Sequence, residues 1–405
     1  MSKYEVYPSY RDSGVEWLGK IPEDWEVKKL KYNLTLQTDK VTIINQQVIA
    51  LENIASWSGQ YIPTDSKYQG DDVEFKEDDV LFGKLRPYLA KVYQCQNSGV
   101  AFGDILVYRP TKQTESRFAF YAMISEAFID IVDGSTYGSK MPRASVDFVS
   151  NMPIVIPPLQ EQQAIANYLD IATAKIDTLI EKQIKLIELL KEKRQAVIST
   201  AVTRGLDSTV TMKDSGVEWL GEIPEHWTIG KIKHYGIYRS GDFISADNIE
   251  VEGNYPVLGG NGLRGYSKAY NLKGNYVLIG RQGALCGNIN YSKDKFWATE
   301  HAIVVHNNKN IDVKWLGEIL RTMNLNQYSV SAAQPGLAVE NIINLTGVQP
   351  PLEEQQEIAK YIDEKTSKID NLTTKSTKAI ELLKEKRTAL ISSAVTGKID
   401  VREIA

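Results

Sequence analysis

Two long stretches of the chain carry apolar residues at helical spacing. From Ile165 onward, apolar or small side chains fall at Ile165, Leu169, Ala172, Ile176, Ile180, Ile184, Ile187, Leu190, Val197 and Ala201, with Lys and Glu on the other face. Intervals of three and four residues place such positions on one face of an α-helix. A second stretch repeats the pattern at Ile358, Ile362, Ile369, Leu372, Ile380, Leu383, Leu390 and Ala394. Pro157-Pro158 and Pro350-Pro351 precede the two stretches, acidic Glu161, Glu353 and Glu354 occupy the first turns, and Gly205 and Gly397 lie just beyond the far ends. Prolines and acids suit a helix start and glycine a helix end. A helix of about 40 residues is a rod of about 60 Å, too long to be buried inside one small domain. Two rods with apolar seams should pack on each other as a coiled coil, and the domain between them in sequence favours an antiparallel pair. Ile176, Ile180, Ile187, Leu190, Ile369, Leu372, Ile380 and Leu383 are the expected residues of the helix pair or of a partner interface.

Outside these stretches the pattern changes to short apolar runs punctuated by Gly, Asn, Asp and Pro, which read as strands and turns. One helical stretch interrupts the strands in each block, at Phe118 to Ile131 and at Val313 to Met323. Val80-Leu81-Phe82-Gly83-Lys84 aligns with Val277-Leu278-Ile279-Gly280-Arg281, and Ile105-Leu106-Val107 with Ala302-Ile303-Val304, both at an offset of 197 residues. Each block is expected to be a mixed α/β domain rich in loops.

The duplication is explicit elsewhere. Residues 12–19, DSGVEWLG, recur unchanged at 214–221, followed by Ile21-Pro22-Glu23 and Trp25 against Ile223-Pro224-Glu225 and Trp227, an offset of 202. PPLQEQQ from Pro157 returns as PPLEEQQ from Pro350, and IELLKEKR is identical at 187–194 and 380–387, an offset of 193. A period near 200 residues indicates a duplicated domain pair with pseudo-two-fold symmetry rather than a stacked array of short repeats. The expected segments are residues 1–156, 157–207, 208–349 and 350–405, alternating domain and helix in an α+β chain. The identity of outer-face residues within IELLKEKR exceeds what a bare spacer requires, so the helices are expected to bind a partner as well.

Charge adds little. The chain of 405 residues has a net charge of -4, with 14 Lys and Arg against 18 Asp and Glu over residues 23–156, and 12 against 11 over residues 222–349. Neither block is a general polyanion binder, so any nucleic-acid contact must come from local patches and loops. In both blocks a basic residue follows the glycine that ends an apolar strand: Lys84, with Arg86, in the first, and Arg281, with Gln282, in the second. A glycine permits a tight turn while the long donor beyond it projects from the strand end, a way to present Arg or Gln to a base edge. Tyr137, Lys140 and Arg143 in the first block, and Asn261, Arg264, Tyr266 and Gln334 in the second, occupy comparable polar loops. Ordinary solvated loop chemistry is the alternative for each.

Signatures of catalysis are not found. The sequence contains no NPP-[FYW] loop and no P-loop, and its four histidines and two cysteines lack HExxH, HxE or CxxC spacing. The formal GxGxxG at Gly260 to Gly265 is not followed by an amphipathic helix, so it reads as a turn rather than a phosphate cradle. Asp71-Asp72 and Asp78-Asp79 read as a solvated acidic face. Metal binding is not expected. The first residues contain no apolar signal core, and no run of about 18 apolar residues occurs, so a cytoplasmic location with two free thiols is expected.

The entry DSGVEWLG-x-IP-x-x-W, the helix start PPL-x-EQ and the ending IELLKEKR with AVT, twice and in order, resemble the specificity (S) subunit of type I restriction-modification enzymes, the HsdS family, over essentially the whole chain. The resemblance implies two target recognition domains, each reading one half of a bipartite double-stranded DNA site. It also implies that the helices set the gap between the halves and dock two methyltransferase subunits, and that restriction and translocase subunits join for cleavage. S-adenosylmethionine, ATP and Mg²⁺ would then sit on those partners and none on this non-catalytic chain. The competing expectation is a helical scaffold whose variable domains bind proteins.

Overall fold

The computed structural model describes residues 5–44, 46–283, 285–329 and 336–402. Packing divides the chain into two compact units, residues 1–184 with 378–405, and residues 185–377. The two long helices are Leu159–Arg204 and Leu352–Val395, starting directly after the proline pairs. Both end before a glycine at positive φ, Gly205 at +75° and Gly397 at +71°. Each unit takes one loop-rich block together with a part of each helix, so packing groups the chain across the helices while the alternation of domain and helix describes its order.

In the first unit an antiparallel sheet runs in the order Leu34–Gln37, Ile105–Pro110, Val80–Gly83, Val92–Gln94. Val80, Phe82, Leu106 and Tyr108 face a core shared with the helix Ser116–Ile124, whereas Leu81, Ile105 and Val107 face Ile49, Phe75 and Ala101 of a second sheet. Coverage of both faces explains why these strands read as continuous apolar runs without alternation. The helical stretch expected from Phe118 to Ile131 is two helices, Ser116–Ile124 and Glu126–Gly134. Ser125 between them is extended, and its hydroxyl donates back to the Ala122 carbonyl at 2.7 Å, a local bond that competes with helix continuation.

The second unit builds the same sheet from Gly236–Ser240, Ala302–Asn307, Val277–Gly280 and Ile289–Tyr291. Ile105 pairs with Gly83 in one unit and Ala302 with Gly280 in the other, so the offset of 197 holds in register as well as in sequence. Its helix runs Val313–Thr322. The accompanying sheets differ: one orders Lys40–Thr42, Asp71–Phe75, Gly99–Ala101 and Gln47–Ile49, the other Gly262–Ser267, Tyr255–Gly259, Lys295–Ala298 and Leu272–Lys273.

The repeated motifs are structural joints. DSGVEWLG forms a closed turn in both units: Asp12 and Asp214 accept from the Gly14 and Gly216 amides at 2.8 and 2.9 Å, and Ser13 and Ser215 donate backbone N–H to Gly19 and Gly221. Gln162 and Gln355, both fully buried, tie the helix starts to the loop-rich blocks. Gln162 Nε2 donates to the Pro157 and Gln113 carbonyls while its Oε1 accepts from the Glu115 amide at 2.8 Å. Gln355 repeats this with Pro350, Asn310 and the Asp312 amide at 2.9 Å.

Within each unit the two helical segments run antiparallel. In the first, Arg387 bonds Asp177 at 3.0 Å while Arg402, beyond the helix end, lies 3.9 Å from Glu161. In the second, Arg194 bonds Asp370 at 3.0 Å, and Glu354 reaches the position beside Gly205. The seam is a heptad pattern: Leu169, Thr173, Ile176, Ile180, Gln183, Ile187, Leu190 and Arg194 on one helix, and Ile362, Thr366, Ile369, Thr373, Ser376, Ile380, Leu383 and Arg387 on the other, are all buried or half-buried. Leu372, expected in the helix pair or a partner interface, lies outside the seam: it is 50% exposed, as Ile184 is at 47%, because the seven-residue repeat assigns the inward places to Thr373 and Gln183.

Candidate nucleic-acid interface

The residues following the two strand-end glycines sit in matching backbone frames. Lys84 donates its N–H to the Asp104 carbonyl at 2.9 Å, and its own carbonyl accepts from Ala144 at 2.9 Å. Arg281 donates to the His301 carbonyl at 2.9 Å and accepts from Leu337 at 2.8 Å. Isolated bridges Leu85 to Arg143 and Gln282 to Gly336 complete the correspondence. Three segments distant in sequence therefore converge at each strand end.

In the first unit this frame gathers the expected residues. Arg86 adopts the left-handed conformation at φ +51° and is held by its amide on the Pro142 carbonyl at 2.8 Å. Tyr137 and Arg143 bond each other's backbone and close a hairpin on which Tyr137 is 65% exposed and Lys140 is exposed. Asp104 joins the two sides: Arg143 Nη2 lies 2.9 Å and Lys84 Nζ 3.6 Å from its carboxylate. Hydrogen bonding to that carboxylate raises the Arg143 pKa further above its ordinary value, so the guanidinium stays charged. One carboxylate between two cations leaves donor groups on both to face outward.

The second unit assembles a different set on the same frame. The GxGxxG segment is a hairpin, Tyr255–Gly259 paired with Gly262–Ser267, with Gly260 and Asn261 at its tip. A Cβ on Gly280 would lie 2.6 Å from the Gly260 carbonyl, and one on Gly260 would lie 2.8 Å from that of His301, so glycine at both places lets the tip approach the strand end. Gly260 thereby lies beside Arg281, a Cβ on it falling 3.5 Å from the Arg281 nitrogen, while Asn261 Oδ1 accepts from Asn288 Nδ2 at 3.4 Å and Arg281 donates from Nη1 to Ser240 Oγ at 2.9 Å. Gln282 is exposed beside it. Arg264 crosses the Gly259 backbone with its aliphatic stem and is exposed, whereas Tyr266 lies at the hairpin base, bridged to Glu250, and does not join the tip. Gln334 lies outside the described residues.

Asp104 and His301 were not among the residues singled out from sequence, although the offset of 197 sets them opposite each other. His301 Nε2 lies 3.1 Å from Glu300 Oε1.

Of the expected helix-pair residues, Ile176, Leu190 and Ile369 are buried, and Ile180, Ile187, Ile380 and Leu383 are half-buried. The polar seam residues were missed. Thr173 and Thr366 satisfy their hydroxyls on the Leu169 and Ile362 carbonyls four residues earlier, at 2.7 and 2.8 Å, and so tolerate burial. Arg387, 11% exposed, also donates to the Trp57 carbonyl at 2.8 Å. No helix among the described residues is long and apolar enough to cross a membrane.

The chain is thus a duplicated fold with two equivalent polar strand ends and paired helices. The model of the type I restriction modification DNA specificity domain matches residues 22–189 and again 224–382, so the chain belongs to that family. It is 42% identical to the type I restriction enzyme EcoprrI specificity subunit of Escherichia coli over 42% of this chain and 41% of that protein. With the MjaVIII specificity subunit of Methanocaldococcus jannaschii it shares 23% identity over 95% of both chains. The fold is similar to a chain from a structure of the type I R-M system in complex assembly, with a TM-score of 0.69 at 17% identity over 93% of this chain and 98% of that one. It is also similar to the HsdS subunit from Thermoanaerobacter tengcongensis, with a TM-score of 0.56 at 16% identity over 94% and 98%.

Proposed function

We propose that this chain is the DNA-reading subunit of a type I restriction-modification complex, that each unit reads one half of a split duplex site, and that the chain itself is non-catalytic. The observation that carries the reading is the repetition of one backbone frame with different polar side chains at two strand ends. A pair of domains recognising two unrelated half-sites requires a constant support and variable contacts. The antiparallel helices serve as spacer and as the dock for two methyltransferase subunits, and restriction and translocase subunits join the full complex. S-adenosylmethionine, ATP and Mg²⁺ then belong to those partners, and the complex works in the cytoplasm.

The Lys84, Arg86, Tyr137, Lys140 and Arg143 group is the contact set of the first unit. Asn261, Arg264, Arg281 and Gln282, together with Tyr266 on the hairpin strand and Gln334, form that of the second. Nuclease protection by the chain purified with its methyltransferase partner tests this. Two protected patches separated by an unread gap, weakening as salt rises, are expected; no protected sequence in any duplex would contradict it. The isolated chain supplied with S-adenosylmethionine or Mg²⁺ is expected to turn over no DNA.

A further inference from the structure

The two strand ends differ most in chemistry where their backbones agree best. Asp104 and His301 occupy equivalent places: each carbonyl accepts the amide of the basic residue after the glycine, at 2.9 Å in both units. Their side chains nevertheless organise opposite chemistries. Asp104 binds Arg143 through both carboxylate oxygens, with Nε at 3.3 and 3.2 Å and Nη2 at 2.9 Å, and Lys84 approaches the same group. His301 is paired with Glu300, whose Oε2 is buried without a hydrogen-bond partner among the described residues, and the Arg281 guanidinium donates to Ser240.

We propose that position 104 in the first unit and position 301 in the second determine which base each domain selects. Asp104 is a positioning residue: it holds the Arg143 fork and the Lys84 ammonium in one orientation, so that the remaining donors meet the acceptor edge of a purine, guanine being the base with two acceptors in the major groove. His301 reads directly, with Glu300 beside its ring and with the Arg281 amide on its carbonyl. Exchange of an acid for an imidazole on an unchanged frame lets duplicated domains acquire different targets. This inference rests on the proposed DNA-reading function and names the residues through which it operates.

The test is selection from a duplex library randomised across the split site, using the full chain with its methyltransferase partner. Wild-type protein must first select a bipartite sequence; if it selects none, the DNA-reading function itself fails. Given such a sequence, Asp104→Asn is expected to relax preference at one or two positions of one half by about 10-fold or more, the scale of a lost bidentate base contact, with the other half intact. Asp104→Glu should restore part of that preference, and His301→Asn should relax the opposite half. Should Asp104→Asn fail to fold, Arg143→Lys, on the solvent-facing hairpin, must relax the same half. Variants that bind more weakly but select both halves unchanged would overturn the inference while leaving the function standing.

Discussion

At the scale of single residues, the duplication separates side chains repeated in both units from side chains that differ on the same backbone frame. Gln162 and Gln355 make the same three bonds in their own units, so their identity follows from buried amide geometry. Asp104 and His301 share a backbone role and nothing else. Burial creates a pH dependence in the second unit. His306 packs edge-on against Tyr276 at 5.1 Å, and desolvation, assisted by nearby Arg239, holds its pKa below the ordinary 6.5. Charging is thus harder in the folded state than in the unfolded one, so the stability His306 contributes is complete above about pH 6.5 and is lost as pH falls below it. Thermal unfolding followed from about pH 7.5 to about 5.5 should show a falling midpoint for the second unit, and His306→Gln should flatten that fall. A slope unchanged in the variant would refute the assignment.

At the scale of elements, the long helices were legible because glycine, proline and periodic apolar residues mark them without reference to the rest of the fold. Their seam was only partly legible. An apolar count follows Leu372 and Ile184, yet the seven-residue repeat turns Thr373 and Gln183 inward, both half-buried, and Thr373 satisfies its hydroxyl on the Ile369 carbonyl at 3.0 Å. Ile369→Ala is therefore expected to cost about 2–4 kcal/mol in denaturant unfolding, and Leu372→Ala within about 0.5 kcal/mol. Equal costs would contradict the register. The heptad also governs how the spacer can be altered. Seven residues inserted into both helices, after Ile184 and after Thr377, keep the seam in phase and add about 10.5 Å to each helix, close to three base pairs of about 3.4 Å. The preferred gap should widen by that amount with both half-sites unchanged; a fixed gap would remove the spacer role.

At the scale of the whole molecule, two-domain organisation was readable because the closed turn of DSGVEWLG and the PPL-x-EQ helix start demand fixed side chains wherever they occur. The strand ends were half readable. Lys84 and Arg281 stand directly after their glycines, but their partners Asp104, Arg143, His301 and Ser240 arrive from segments that only the folded sheet brings together, and Tyr266 lies at the hairpin base rather than its tip. Net charge carried no signal, because opposed cations and carboxylates such as Arg143 and Asp104 cancel in any count.

Domain replacement tests the central claim most directly. A chain in which residues 214–349 give way to a second copy of residues 12–156 keeps both helices and both joints, and its target can be read from the methylation pattern it directs with its methyltransferase partner. The expected result is a split site whose two halves carry the same bases, those of the first unit. Persistence of the original second half-site would contradict the claim that each unit reads its own half.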